Sequence, residues 1–331
     1  MMSYLKHLIR DKSVLFNKAI PLLNKYVSDI EINSNSNFKS LIIAVGDIHG
    51  SFLQTLIPLI ITKFIKNVKI TESSINFNYV DNPDLSNKII YLGDIFDRAY
   101  HDKYYLITDL LIKLITKYPD NIIWCYGNHD VDKYIELSEE TNLTNEEERF
   151  YNFSFINLKT IYYEPLNNVM FSHTLILNKN YQSILTGDLE DLLLFSSYSS
   201  RSEYSEYKTN SIESKSESKF DEIEEFNNNV RFLLNQKEIR ERINCKCFNN
   251  RYEDLNELSK IFKINNKHIV GHDVTNLDEY ICEENKNIIF CDFEAMYKKN
   301  AFNTYYIERP KFIFIENNEI KINKYPSLTI K

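Results

Sequence analysis

Only six glycines occur in the 331 residues, and five of them stand in short motifs of acidic, amide and histidine residues. These are Gly46-Asp47-Ile48-His49-Gly50, Gly93-Asp94-Ile95-Phe96-Asp97-Arg98, Gly127-Asn128-His129-Asp130 and Gly271-His272-Asp273. Glycine lets a backbone turn sharply or approach a ligand closely, so a chain this sparing with it marks its consequential turns. Each motif also ends an apolar run: Leu41-Ile42-Ile43-Ala44-Val45, Ile89-Ile90-Tyr91-Leu92, Ile122-Ile123-Trp124-Cys125-Tyr126 and His268-Ile269-Val270. The runs read as buried strands. That sends Asp, Asn and His side chains to the carboxyl ends of one sheet, where open α/β folds bind their ligands.

The rest of the chain is organised around these runs. Residues 1–38 carry a helical apolar pattern (Leu5, Leu8, Ile9, Val14, Leu15, Ile20, Leu22, Leu23) ending in Asn33-Ser34-Asn35-Ser36-Asn37, and read as an N-terminal helical extension. Residues 39–331 read as one domain. It begins with a strand at 41–45, a helix at 52–66, a polar β-prone insert at 68–87, a strand at 88–92, a helix at 104–117 and a strand at 121–126. Such a βαβαβ series implies parallel strands with right-handed crossovers. A second block carries Val169-Met170-Phe171-Ser172-His173, again an apolar run ending in a histidine. Ten serines with interspersed Glu and Lys fill residues 196–218, a composition too polar to order itself, so 196–219 reads as a mobile loop. Residues 220–262 look helical, and strands are expected at 268–270, 287–291, 304–307 and 312–315.

Composition removes several classes of function. A 43% hydrophobic content supports a sizeable core, and a formal charge of −8 argues against a nucleic-acid footprint. Residues 1–10 lack the apolar core of a signal peptide, and the longest apolar stretch, 53–65, is broken by Pro58 and Lys63 and is too short to span a bilayer. The expectation is an intracellular, cytoplasmic protein with no membrane partner. Five cysteines fit a reducing compartment better than a disulfide framework, and Cys245 with Cys247 lacks the second pair a structural zinc site needs.

Asp47, His49, Asp94, Asn128, His173 and His272 supply two carboxylates, one amide and three imidazoles, all at expected strand ends. Hard oxygen donors mixed with imidazole suit Mn, Fe or Zn, and shared ligands suit a two-metal site. Two metals roughly 3.5–4 Å apart clamp a phosphoryl group and deprotonate a water at neutral pH. The chemistry indicated is hydrolysis of a phosphate ester.

The ordered set D-x-H, G-D-x-x-D-R, G-N-H-D, S-H and G-H, running from Leu41 to about Phe293, resembles the calcineurin-like metallophosphoesterases. Within them it is similar to the phosphoprotein phosphatases and diadenosine tetraphosphatases. The resemblance implies an α/β fold, a four-layer αββα sandwich with mixed sheets and a dinuclear metal site at the carboxyl ends of strands. It implies one metal ion on Asp47, His49 and Asp94, and a second on Asp94, Asn128, His173 and His272, with Asp94 bridging. It further implies a metal-bridging hydroxide as attacking group, His129 as the general acid, Asp97 as the carboxylate that orients it, and Arg98 as a phosphate-binding arginine. The second phosphate-binding arginine falls on Arg251, in Phe248-Asn249-Asn250-Arg251-Tyr252, or on Arg240 or Arg242. His7, His101 and His268 match no motif and are assigned to surface or core.

Three departures bear on specificity. Val274 replaces the second histidine of a G-H-x-H element, which favours the phosphoprotein phosphatase branch; Ala99 stands where a glycine usually follows D-R, and Thr174 follows His173. Asp292, closing Ile288-Ile289-Phe290-Cys291, is expected to support the site from behind its ligands. The expected activity is a serine/threonine protein phosphatase acting on a phosphorylated protein. Its rivals are a diadenosine tetraphosphatase-like nucleotide hydrolase and a non-catalytic phosphate-binding module.

Overall fold

The structure is a computed structural model that describes residues 2–34, 38–96, 100, 103–159, 161–164, 166–173, 267–271, 281, 288–293, 296–299 and 305–330. In chain order its elements are α1 (Met2–Asn33), β1 (Ile42–Val45), α2 (Phe52–Ile61), β2 (Ile65–Ile70), β3 (Ile75–Tyr79), β4 (Lys88–Tyr91), α3 (Tyr104–Lys117) and β5 (Ile122–Trp124), then α4 (Asn128–Glu139), α5 (Asn145–Asn157), β6 (Ile161–Glu164), β7 (Val169–Ser172), β8 (Lys267–Val270) and β9 (Ile288–Phe290), and finally β10 (Met296–Lys299), β11 (Tyr305–Glu308), β12 (Lys311–Glu316), β13 (Glu319–Lys324) and β14 (Leu328–Ile330). The chain forms two compact units, one of Met1–Ile123 with Asp292–Lys331, the other of Trp124–Cys291.

The first unit is built on a five-stranded sheet in the order β13-β12-β1-β4-β5. Strands β1 and β4 run parallel, with Ile43 opposite Ile89, whereas β12 runs antiparallel to β1, so the sheet is mixed. Every residue of β1 is buried, as is every residue of α2. This explains their unbroken apolar sequences, since an element covered on all sides gains nothing from polar alternation. The long helix α1 buries Phe16, Ala19, Leu23 and Val27, and its Asn24 side chain bonds both backbone groups of Ile70 on β2 at 2.7 and 2.9 Å.

The helix expected at 52–66 stops at Ile61. Lys63 takes a left-handed φ of 59°; its amide donates to Ile60 O at 3.0 Å and that of Phe64 donates to Leu59 O at 3.0 Å. This pair of bonds is a Schellman closure, and Phe64 and Leu59, at the positions whose apolar side chains accompany it, are both buried. Lysine occupies the position where glycine is usual, so the stop carried no glycine signal. The following apolar residues belong instead to the hairpin of β2 and β3.

The second unit carries its own mixed sheet, β6-β7-β8-β9, with β7 parallel to β8, β8 parallel to β9 and β6 antiparallel to β7. The histidine-bearing runs at 169–173 and 268–270 therefore belong to this sheet, and the expectation of a single sheet carrying all the motifs is corrected. Strand length sets the reason: four-residue strands support two small sheets as readily as one large one, and an apolar run does not say which neighbour it pairs with. Two helices not anticipated in the sequence, α4 and α5, precede it. Helix α5 opens on a capping box, with Thr144 Oγ1 accepting from Glu147 N and Glu147 Oε2 accepting from Thr144 N. Among the described residues no helix is long and apolar enough to cross a membrane. The serine-rich loop at 196–219 and the helix expected at 220–262 lie outside the described residues.

Candidate metal centre

The turn after β1 and the turn after β4 are joined by backbone hydrogen bonds. Ile48 N donates to Gly93 O at 3.4 Å and His49 N to Asp94 O at 2.6 Å. Because β1 and β4 are adjacent and parallel, their carboxyl ends emerge side by side, and two motifs 47 residues apart become one structure. Gly50 and Gly93 have φ of 73° and 103°, so here glycine serves the sharp turns the sequence suggested. Gly127 differs: it is extended at φ −97°, ψ 165°, and caps a helix.

His49 and Asp94 themselves take left-handed φ values of 45° and 49°. The left-handed region costs an ordinary L-residue of order 1 kcal/mol, and such conformations persist only where the surroundings over-determine them. Among the described residues nine non-glycine residues have positive φ; five are asparagines (Asn67, Asn82, Asn168, Asn317, Asn318), and with His49 and Asp94 seven of the nine are residue types enriched in this region. Among the described residues asparagine thus takes the place of glycine in several turns, while in the turns after β1 and β4 a histidine and an aspartate take this conformation.

The result is a compact buried donor set. Asp47, His49 and Asp94 are each no more than 2% exposed. His49 Nε2 lies 3.7 Å from Asp47 Oδ2, too far for a direct hydrogen bond. Ligand atoms of Asp94 lie within 4.8 Å of those of both Asp47 and His49. Donors bound to an ion at about 2.0–2.2 Å sit roughly 3–4 Å from one another, so the spacing fits a shared cation. Two buried carboxylates this close repel unless positive charge stands between them. The residues present therefore fit a metal ion of the hard-oxygen and imidazole type.

Asn128, His129, Asp130 and His173 belong to the second unit. Asn128 and His129 open α4, and His129 is partly exposed. Their turn is fixed by Asp130, fully buried, whose Oδ2 accepts from Gly127 N at 2.9 Å and from the Trp124 indole Nε1 at 3.2 Å. Asp130 was part of the motif but had no assigned role in the sequence; its offset of three residues from the helix cap is the signal that points to it. His173 is 1% exposed and directly follows β7. His268, expected from sequence at the surface or in the core, is a core residue 2% exposed, whose Nε2 pairs with Ser172 Oγ at 2.7 Å. Burial drives its imidazole from the usual 6.5 down to about 3, so it is neutral. Asp292 is buried just past β9. Cys125 and Cys291 are buried free thiols, and burial pushes Cys125 up to about 12, which leaves it inert at neutral pH. Asp97, Arg98, Ala99, His101, Thr174, Arg240, Arg242, Arg251, His272 and Val274 lie outside the described residues, as do the side chains of His7 and Asn128.

A buried carboxylate–imidazole cluster at the ends of parallel strands in a mixed α/β protein is a donor set suited to a hydrolytic metal ion. The sequence matches the calcineurin-like phosphoesterases across residues 40–315, and the chain belongs to that family. No curated protein matches the sequence. Among solved structures, a mutant of a cold-active protein tyrosine phosphatase is 16% identical, with 89% of this chain and 81% of that chain covered and a TM-score of 0.48. The cold-active protein-tyrosine phosphatase of a psychrophilic Shewanella species is likewise 16% identical, with the same shares covered and a TM-score of 0.47.

Proposed function

We propose that the protein is a dinuclear-metal phosphomonoesterase that removes phosphate from phosphoserine or phosphothreonine in proteins. The observation that carries it is the Asp47, His49 and Asp94 cluster, three buried donors on two strained turns in a chain of the calcineurin-like family. Asp47, His49 and Asp94 would hold one ion. Asn128, His173 and His272, with Asp94, would hold a second, an assignment supported by the order of their motifs. Bound there, Mn, Fe or Zn ions supply Lewis-acid activation of water and neutralise charge on the phosphoryl group.

The chain's own residues do the remainder. His129 carries the proton that passes to the leaving oxygen as the phosphorus–oxygen bond breaks, so that a seryl or threonyl side chain departs as the neutral alcohol. Asp97 holds that imidazole in orientation, and Arg98 with Arg251 grips the non-bridging phosphate oxygens through planar guanidinium forks. Val274, in place of a second motif histidine, supports the phosphoprotein reading over a phosphodiester one.

Initial rates on a panel of phosphoserine, phosphothreonine and phosphotyrosine peptides, diadenosine tetraphosphate and nitrophenyl phosphate, each with Mn2+, test the proposal. Preference for the phosphoserine and phosphothreonine peptides is expected. Preference for the dinucleotide or for phosphotyrosine overturns the substrate assignment, and no hydrolysis of any member overturns the catalytic one.

A further inference from the structure

The ligand turn after β1 continues directly into α2, and the start of that helix is held by a residue far away in sequence. Glu308, the last residue of β11, is fully buried. Its Oε2 accepts from Ser51 Oγ at 2.8 Å and from Leu53 N at 2.7 Å, and its Oε1 accepts from Tyr100 OH at 3.0 Å. Ser51 is the N-cap of α2, with its own Oγ accepting from Gln54 N at 3.1 Å, and its amide donates to Ile48 O at 2.9 Å inside the Asp47–His49 turn. One carboxylate thus fixes the residue two positions past His49, the first turn of α2 and Tyr100.

A carboxylate at a helix N-terminus meets the unsatisfied amides and the positive end of the helix dipole. That favourable placement is sealed from water. Phe16 of α1, Phe52 and Tyr100 form an aromatic trio over the same region, with centroids 5.3, 5.2 and 5.7 Å apart. A simple helix cap is already supplied by Ser51. A second, charged acceptor brought from another sheet is more than α2 needs for its own termination, whereas the left-handed His49 requires fixed backbone on both sides. Upstream, β1 and the bond from His49 N to Asp94 O supply one side; downstream, Glu308 supplies the other.

We infer that Glu308 is a positioning residue for the metal-ligand turn, acting through Ser51 and the first turn of α2 to keep His49 and Asp47 in ligating geometry. This rests on the metal assignment of Asp47, His49 and Asp94 made above. Partners that orient metal ligands typically affect affinity by about 10–100-fold.

The test compares Glu308→Gln with Gln54→Ala. Glutamine keeps the size of Glu308 but removes its charge and leaves a single acceptor oxygen for Ser51 Oγ, Leu53 N and Tyr100 OH. Gln54 anchors the same helix elsewhere, through its paired bonds with Lys311 N and Lys311 O at 3.2 and 2.9 Å, so its loss reports what loosening of α2 alone does. Mn2+ is titrated calorimetrically into each chelator-stripped protein below its melting transition, and kcat and KM for nitrophenyl phosphate are measured alongside. Glu308→Gln is expected to weaken Mn2+ binding about 10-fold or more and to lower kcat with little change in KM, while Gln54→Ala keeps wild-type Mn2+ affinity. Equal affinities in Glu308→Gln and wild type, or equal losses in both variants, overturn the inference. If Glu308→Gln does not fold, Tyr100→Phe and Ser51→Ala each remove one partner, and wild-type Mn2+ affinity in both overturns it as well. A wild-type protein that binds Mn2+ but hydrolyses no phosphate ester refutes the proposed function while the affinity comparison still decides the role of Glu308.

Discussion

His49 and Asp94 are placed by backbone conformation as much as by side-chain chemistry. Both sit at left-handed φ on turns bonded to each other, and Asp94 is the one donor common to both ions in the proposed site. Asp94→Asn removes a negative charge while keeping shape, and is expected to lower bound metal from two ions per chain to one or none, read by elemental analysis. Metal content equal to wild type would exclude Asp94 as a bridge. His129 presents a separable effect. His129→Ala should retain both ions and lose roughly 10²–10⁴ in rate on a phosphoserine peptide, whose alkoxide must be protonated. The loss on nitrophenyl phosphate should be far smaller, because nitrophenolate leaves unaided. Equal losses on the two substrates, with metal unchanged, would exclude His129 as the acid. The gathering of Asp47, His49 and Asp94 was legible in the sequence because each motif closes an apolar run and adjacent parallel strands bring such ends together. Glu308 was not, because nothing local marks a glutamate at a strand end as the partner of a serine 257 residues earlier.

At the level of elements, the apolar runs that became β1, β4, β5, β7 and β8 were legible because burial on both faces leaves an uninterrupted hydrophobic signature. Their assignment to sheets was not, since pairing partners leave no trace in a four-residue run. Turns were obscured by the shortage of glycine. The two-residue loop between β12 and β13 places Asn317 and Asn318 at φ 52° and 64°, the geometry of a type I′ hairpin, with Glu316 opposite Glu319. Lys63 closes α2 in the same left-handed region without asparagine's tolerance for it. Lys63→Gly should therefore raise stability by about 0.5–1 kcal/mol, measured as a higher urea midpoint with unchanged slope. A lower midpoint would mean that the lysine side chain contributes more than its backbone costs.

For the whole molecule, two buried titratable groups give the pH dependence of stability opposite signs. Burial raises Glu308 from 4.5 to about 6, against hydrogen bonds from Leu53, Ser51 and Tyr100 that pull it down. A folded pKa above the unfolded value gives stability fully present below pH 4.5 and lost as pH rises through about 6. At 1.36 kcal/mol per unit this is at most about 2 kcal/mol. Tyr100 and Tyr26 are the titratable neighbours, and Tyr26 is itself raised by burial and so stays neutral here. His268, lowered from 6.5 to about 3, has the reverse sign: its contribution is present above pH 6.5 and lost as pH falls toward 3. Urea unfolding of His268→Gln at pH 7 and pH 5 is expected to show a smaller acid-side loss than wild type. An identical loss would place the acid sensitivity elsewhere. Beyond stability, the function depends on whether the clustered donors of the β1 and β4 turns hold metal that hydrolysis requires. Protein stripped by a chelator and assayed on a phosphoserine peptide before and after Mn2+ is returned decides this. Activity that disappears on stripping and returns with about two equivalents of Mn2+ is expected; full activity in the stripped protein, with no metal bound, would contradict it.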